Sequence, residues 1–317
     1  MRNLLLTNRR ALGDVVVSTA LMRDIKRQYG DEINIAFHGT NRELFQDVPY
    51  LSKLRQAETV SLGYGHREWK VGIDMSTKCP QHFVKAYYEF FTRKTGIPVE
   101  MTELRPDLHV DDPCHPDAKG RWLAVTGGKT DFAAKIWHPR SWETLFRLAP
   151  NEKFARVGAL GKNNIHHALR AGDNVVDLRG KTDVRGFVAA IREAKGVICG
   201  VTAAMHIAAA FDKPCIVIAG GREPWWWEAY TDVTRRINGH EGPPLRNQVY
   251  LHTVGQMRCC TPNACWHSHL PGRPGKTKFC SNVVTKDKIS YPACLDGITP
   301  YHILQAMEAY EQERQSV

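Results

Sequence analysis

Gly200-Val201-Thr202-Ala203-Ala204-Met205-His206-Ile207-Ala208-Ala209-Ala210 is the stretch whose reading decides the fold. Just before it runs Gly196-Val197-Ile198-Cys199, short and β-branched enough for a buried strand. From Ala203 to Phe211 the residues are small and apolar with one polar interruption, which predicts a helix packed closely on a sheet. Asp212-Lys213-Pro214 ends that helix, because proline biases its predecessor away from the helical region. A second buried strand follows at Cys215 to Ala219, then Gly220-Gly221. The unit is strand, helix, strand, with the helix starting at the carboxyl end of a parallel strand. Such a start offers free backbone N–H groups and a positive dipole to an anion, most often a phosphate. An ordinary packing unit would show the same pattern.

A second stretch repeats the arrangement at the other end of the chain. Leu4-Leu5-Leu6 leads through Thr7-Asn8-Arg9-Arg10-Ala11-Leu12-Gly13-Asp14 into Val15-Val16-Val17-Ser18-Thr19-Ala20-Leu21. Asp14 falls at or near the helix start, where aspartate is a favoured cap. The strand expected at 33–37 continues an α/β series, and the polar, proline-bearing residues 111–120 read as a linker. A new series begins at Trp122-Leu123-Ala124-Val125. Further on, Ser141 is expected to cap one helix and Thr182 or Asp183 the next.

The two opening stretches together resemble glycosyltransferase family 9, the heptosyltransferase-like enzymes. In that family an N-terminal "lGD" loop faces a C-terminal "G…HlAaal.kP…fG" segment across a cleft. Further matches are Lys135-Ile136-Trp137-His138-Pro139 to the family's "K.Wp" phrase and Val175 to Thr182 to its "dl.GkT" phrase. The resemblance implies an α/β protein of two Rossmann-like domains facing across a cleft, the GT-B type. Residues 1–115 would be the acceptor-side domain and 116–299 the nucleotide-sugar-binding domain. Residues 300–317 would form a helix crossing back to the first.

It also implies roles. Asp14 would be the base that takes the acceptor hydroxyl proton, with Arg10, Gly13 and the loop around His66 on the acceptor side. The donor would be held by Lys135, by Thr202, Ala203, Ala204, Met205 and His206, and by Glu223 in the segment after Gly220-Gly221. No D-x-D metal motif stands in a suitable loop, so metal-independent transfer is expected, with no cofactor required, and the resemblance implies inversion. One departure stands out: where an acid commonly precedes the "sG…H" phrase, this chain has Val201. That leaves the donor sugar open.

Composition sets bounds on the partners. At 317 residues the chain is long enough for two α/β cores, and its formal net charge of +10 favours an anionic partner. A nucleotide-diphosphate sugar, an anionic glycan or lipid acceptor such as a lipopolysaccharide core, peripheral contact with a membrane and a nucleic-acid acceptor all fit. A non-catalytic nucleotide-sugar-binding protein would keep the same cleft. Met1-Arg2-Asn3 before the first strand is too short for a signal peptide, and no apolar run approaches the roughly 18 residues of a spanning helix, so a cytoplasmic protein is expected.

Five of the nine cysteines, Cys259, Cys260, Cys265, Cys280 and Cys294, lie close together in sequence, with His267 and His269 among them. Without two C-x-x-C knuckles their spacing leaves a structural zinc and a loop staple both open. Three adjacent tryptophans, Trp225-Trp226-Trp227, cannot all point inward from one element, so at least one is expected at a cleft wall or domain contact.

Overall fold

The computed structural model describes residues 1–63, 82–230, 234–236, 247–260, 264–272 and 279–315. It is a mixed α/β structure whose two larger sheets are parallel. The strand expected at Val71 to Met75 lies outside the described residues, as does the loop around His66.

The first sheet has three strands, ordered Ile33–Gly39, Arg2–Asn8, Glu58–Ser61. Leu4, Leu6 and Asn8 alternate inward along its central strand, the period-two pattern of a sheet with one face covered. That face receives the helix Leu12–Tyr29, which buries Val16, Ala20, Leu21 and Ile25. Ser18 and Thr19 are also buried there, and their hydroxyls are satisfied by the carbonyls of Val15 and Val16, at 2.7 and 2.6 Å. Gly30 ends the helix at φ 51°, a conformation open to glycine at little cost, and its N–H donates to the Lys26 carbonyl.

The second sheet has seven strands, ordered Thr234–Arg236, Gln248–His252, Cys215–Gly220, Gly196–Gly200, Trp122–Val125, Phe154–Arg156 and Val175–Asp177. Gly196–Gly200 and Cys215–Gly220 are buried along their whole length, as expected for parallel strands covered on both faces. The opening stretch is the crossover between these two strands, and its helix spans Ala203–Ala210.

Two helix starts show how local chemistry sets boundaries. Asp183 caps Val184–Glu193, accepting from the Gly186 N–H at 2.7 Å. Ser141 does not cap its helix. Pro139 takes the first helical position of Pro139–Leu148, which makes His138 the cap; its ring Nδ1 accepts from the Arg140 N–H at 3.2 Å.

The last helix, Pro300–Gln315, does not cross to the three-stranded sheet. It packs on the seven-stranded one, with Ile303, Ala306, Met307 and Tyr310 in one apolar cluster with Trp122, Phe146, Ile216 and Val249. The Tyr310 ring lies 6.2 Å from that of Trp122, and Lys195 pairs with Glu311 at 3.0 Å. The apolar face of the helix thus matches the sheet it follows. No helix among the described residues is long and apolar enough to cross a membrane.

The two halves meet along the helices Leu12–Tyr29 and Ala203–Ala210. Arg185 adds a polar tie. Its Nε donates to Asp112 at 2.8 Å and its Nη1 to the Glu43 carbonyl at 2.9 Å, while Nη2 reaches both Asp47 and Asp112. One guanidinium on the second half therefore grips the first half and the linker. Arg185→Ala is expected to lower the melting temperature by roughly 2–4 °C, the effect of losing about 1 kcal/mol in a protein of this class. An unchanged melting curve would show that the tie contributes nothing measurable.

Candidate active site

The site is built where the two glycine-bearing turns meet. Asn8 ends its strand 1% exposed, and its side chain organises the turn that follows. Its Nδ2 donates to the Asp14 carbonyl at 3.1 Å, and its Oδ1 accepts from the Arg10 N–H at 3.2 Å. Ala11 holds the cap position of the helix without a side-chain bond, so Asp14 lies inside the first turn and is not the cap. Its carboxylate is free to face the cleft, where the Tyr87 hydroxyl donates to Oδ1 at 3.2 Å. Burial lifts the Asp14 carboxyl above the usual carboxylate range, and nearby Glu228 lifts it further; Arg10 and the Tyr87 hydrogen bond pull the other way. A helix N-terminus by itself favours the carboxylate and lowers its basicity. Desolvation outweighs that effect here.

Gly13 brings the two halves into contact. A Cβ on it would lie 3.2 Å from His206 Cδ2 and 3.6 Å from the Ala203 Cα, so the first turn of one helix rests on that of the other. His206 is buried, and burial drives its pKa down to about 4, which keeps the imidazole neutral at pH 7. Its Nδ1 lies 2.8 Å from the Tyr230 hydroxyl, and its Nε2 3.7 Å from Glu228 Oε2. His82 stacks edge-on against the same tyrosine at 5.3 Å. Thr202 sits at the cap of Ala203–Ala210, and its hydroxyl is buried with no hydrogen-bond partner among the described residues. Ala203, Ala204 and Met205 supply the backbone of that first turn.

Lys135 reaches the same place from the turn Thr130–Lys135. Gly200 makes room for this: a Cβ there would come within 2.8 Å of the Lys135 carbonyl oxygen. The ammonium donates to the Val201 carbonyl at 3.3 Å and pairs with Glu223 at 2.7 Å. Glu223 is 2% exposed and is shared with Arg222, which also donates to the His267 carbonyl and to Ser268 Oγ, at 3.1 and 2.6 Å. Both cations lie over the Phe132 ring, Lys135 Nζ at 5.2 Å and the Arg222 guanidinium at 5.5 Å. Burial first, and then the Arg222 charge, pull the Lys135 pKa down to about 7; Asp14 and Glu228 act in the opposite sense.

The fold therefore gathers Asp14, Arg10, Gly13, Lys135, the 202–206 turn and Glu223 in one place where the two halves meet. His66 lies outside the described residues. Sequence reasoning missed Tyr87, Arg222, Glu228 and Tyr230. Of these, Arg222 and Glu228 flank Glu223 and the tryptophan run, the segment already singled out, and were legible there as charged neighbours. The tryptophans divide as expected: Trp227 is buried against Phe83, whereas Trp225 is 37% exposed.

The five clustered cysteines converge beside the cleft. A Cβ on Gly221 would lie 2.7 Å from Cys260 Sγ, and one on Gly220 3.2 Å from Cys294 Sγ. All five are free thiols, and burial raises Cys294 to about 12. Among the described residues no group of three or more His, Cys, Asp or Glu side chains is arranged to hold a metal ion.

The family model for glycosyltransferase family 9 (heptosyltransferase) matches residues 51–254. Among solved structures, a family 9 glycosyl transferase from Veillonella parvula DSM 2008 superposes with a TM-score of 0.61 at 10% identity, covering 98% of each chain. The E. coli heptosyltransferase WaaC with ADP gives 0.55 at 13% identity, over 96% of this chain and 99% of that one. TibC, a dodecameric iron-containing heptosyltransferase solved with ADP-D-beta-D-heptose, gives 0.59 at 12% identity, over 98% of this chain and 76% of its own. No curated protein matches the sequence.

Proposed function

The chain belongs to glycosyltransferase family 9, and from that footing we propose that it transfers a sugar, with inversion and without a catalytic metal, from a nucleoside-diphosphate sugar to a hydroxyl of an anionic glycan or lipid acceptor. The acceptor class that best suits the charge of +10 is a lipopolysaccharide core or a related glycan, met in the cytoplasm at the membrane surface. ADP-heptose is the first donor to test, since TibC was solved with it.

The observation that carries this reading is the meeting of Asp14 with Lys135 and the Ala203–Ala210 terminus in one cleft. Asp14, desolvated and oriented by Tyr87, accepts the proton of the attacking hydroxyl. Lys135, with the N–H groups of Ala203 and Ala204 at the helix start, takes up the negative charge that develops on the departing diphosphate. Attack in line with the departing group inverts the anomeric centre. Base and cation come from different halves, so the sugar must lie between them, held for reaction by both.

The test is transfer from ADP-heptose to a core oligosaccharide with excess chelator present, with the anomeric configuration of the product read by NMR. Transfer with inversion that survives chelation is the expected result. Retention, or loss of transfer restored by a divalent cation, would contradict the mechanism. Transfer to an oligonucleotide but not to glycan would move the acceptor to nucleic acid.

A further inference from the structure

Glu228 ends the short helix Trp225–Glu228, and its side chain is 12% exposed. The helix is anchored by Trp227, whose ring packs 5.1 Å from Phe83 and 5.7 Å from Trp266. Its carboxylate approaches His206 Nε2 at 3.7 Å, but burial keeps that imidazole neutral at pH 7, so the contact is not an ion pair. This sets it apart from Glu223, whose carboxylate is taken up by Lys135 and Arg222.

The placement of Glu228 is specific. The His206 ring presents its Cδ2 edge to Gly13 and its Nε2 to Glu228, so one imidazole separates the Asp14 turn from this carboxylate. The charge of Glu228 is felt at Asp14 and at Lys135 alike. It therefore borders the space between the acceptor-side base and the donor-side cation, where the transferred sugar must lie. Val201, at the end of the adjoining strand, is apolar and offers no side-chain acceptor there. Among the described residues no lysine or arginine pairs directly with this largely buried carboxylate, an arrangement that is costly unless donors reach it when the site is filled. Sugar hydroxyls are such donors, and charge-assisted hydrogen bonds to a carboxylate are among the stronger ones.

The geometry points to Glu228 as a donor-sugar residue: its carboxylate accepts hydrogen bonds from hydroxyls of the transferred sugar and so discriminates a sugar nucleotide from the bare nucleotide. This rests on the glycosyl-transfer reading above.

Calorimetric titration of the full chain with ADP and with ADP-heptose tests it. Glu228→Gln is expected to weaken ADP-heptose about tenfold more than it weakens ADP, the difference between a charged and a neutral acceptor. Glu228→Asp, which keeps the charge, is expected to recover part of that loss, and carries the same comparison should the Gln variant not fold. If the substitution weakens both probes equally, Glu228 only shapes the site; if it weakens neither, it does not touch the sugar. Either result overturns the assignment while leaving the transfer reading intact. If the wild-type chain binds neither probe, the donor reading itself fails and the assignment falls with it.

Discussion

Asp14→Asn is expected to reduce turnover by about 10²- to 10⁴-fold, the usual contribution of a positioned base, while donor binding survives. Asparagine keeps the shape and can still accept the Tyr87 hydroxyl that now bonds Oδ1 at 3.2 Å. What it loses is the ability to take a proton. Stability should hold or rise, because Asp14 is not the helix cap and its ionised form is disfavoured by burial. The sign follows from linkage: a carboxyl whose folded pKa is raised favours the fold below that pKa, and the benefit is lost as pH rises through it. Removing the titrating group removes that pH dependence. In the wild type the acid limb of the rate profile should lie above the ordinary carboxylate range and vanish in the variant. Full turnover in a folded Asp14→Asn protein would remove Asp14 from the chemistry.

Lys135→Ala is expected to weaken binding of the nucleoside diphosphate by roughly tenfold or more, as befits a charge-assisted contact of about 1.5–3 kcal/mol, and to leave acceptor binding nearly unchanged. Glu223 would keep its pairing with Arg222, so the pocket should not collapse. The pH dependence separates this role from a structural one. Burial and Arg222 hold the free-site ammonium at about 7, so above that pH it is increasingly neutral. A bound diphosphate favours the charged form and raises its pKa. Wild-type affinity should therefore fall as pH rises above 7, with proton uptake on binding, and Lys135→Ala should flatten that dependence. A measured affinity with the same pH slope in both proteins would assign the slope elsewhere.

The parts of this site that the sequence displays are those carried by strand–turn–helix punctuation. Asp14 and His206 follow glycine-bearing turns after apolar runs, and each helix start is fixed within a few residues of where the pattern puts it. Such features are local, so spacing reveals them. Tyr87 and Tyr230 are invisible to the same reading because their roles come from packing between segments far apart in the chain. The aromatic side of Phe83–Thr95 reads as core, and mostly is; only the fold shows that one hydroxyl on it reaches Asp14. The Ser141 expectation failed at a finer level, since a proline at the first helical position moves the cap back to His138. The terminal helix was placed by analogy, and its own apolar residues decided otherwise. The raised Asp14 carboxyl is likewise beyond sequence reading, because burial, which no single sequence shows, outweighs the helix dipole.

The most direct measurement is release of nucleoside diphosphate from a panel of nucleotide sugars, ADP-heptose among them, by the wild-type chain and by Asp14→Asn with a glycan acceptor present. The account predicts acceptor-dependent release by the wild type with at least one donor, and binding without release by the variant. Equal release by both proteins, or no release by the wild type with any donor and acceptor, would contradict it.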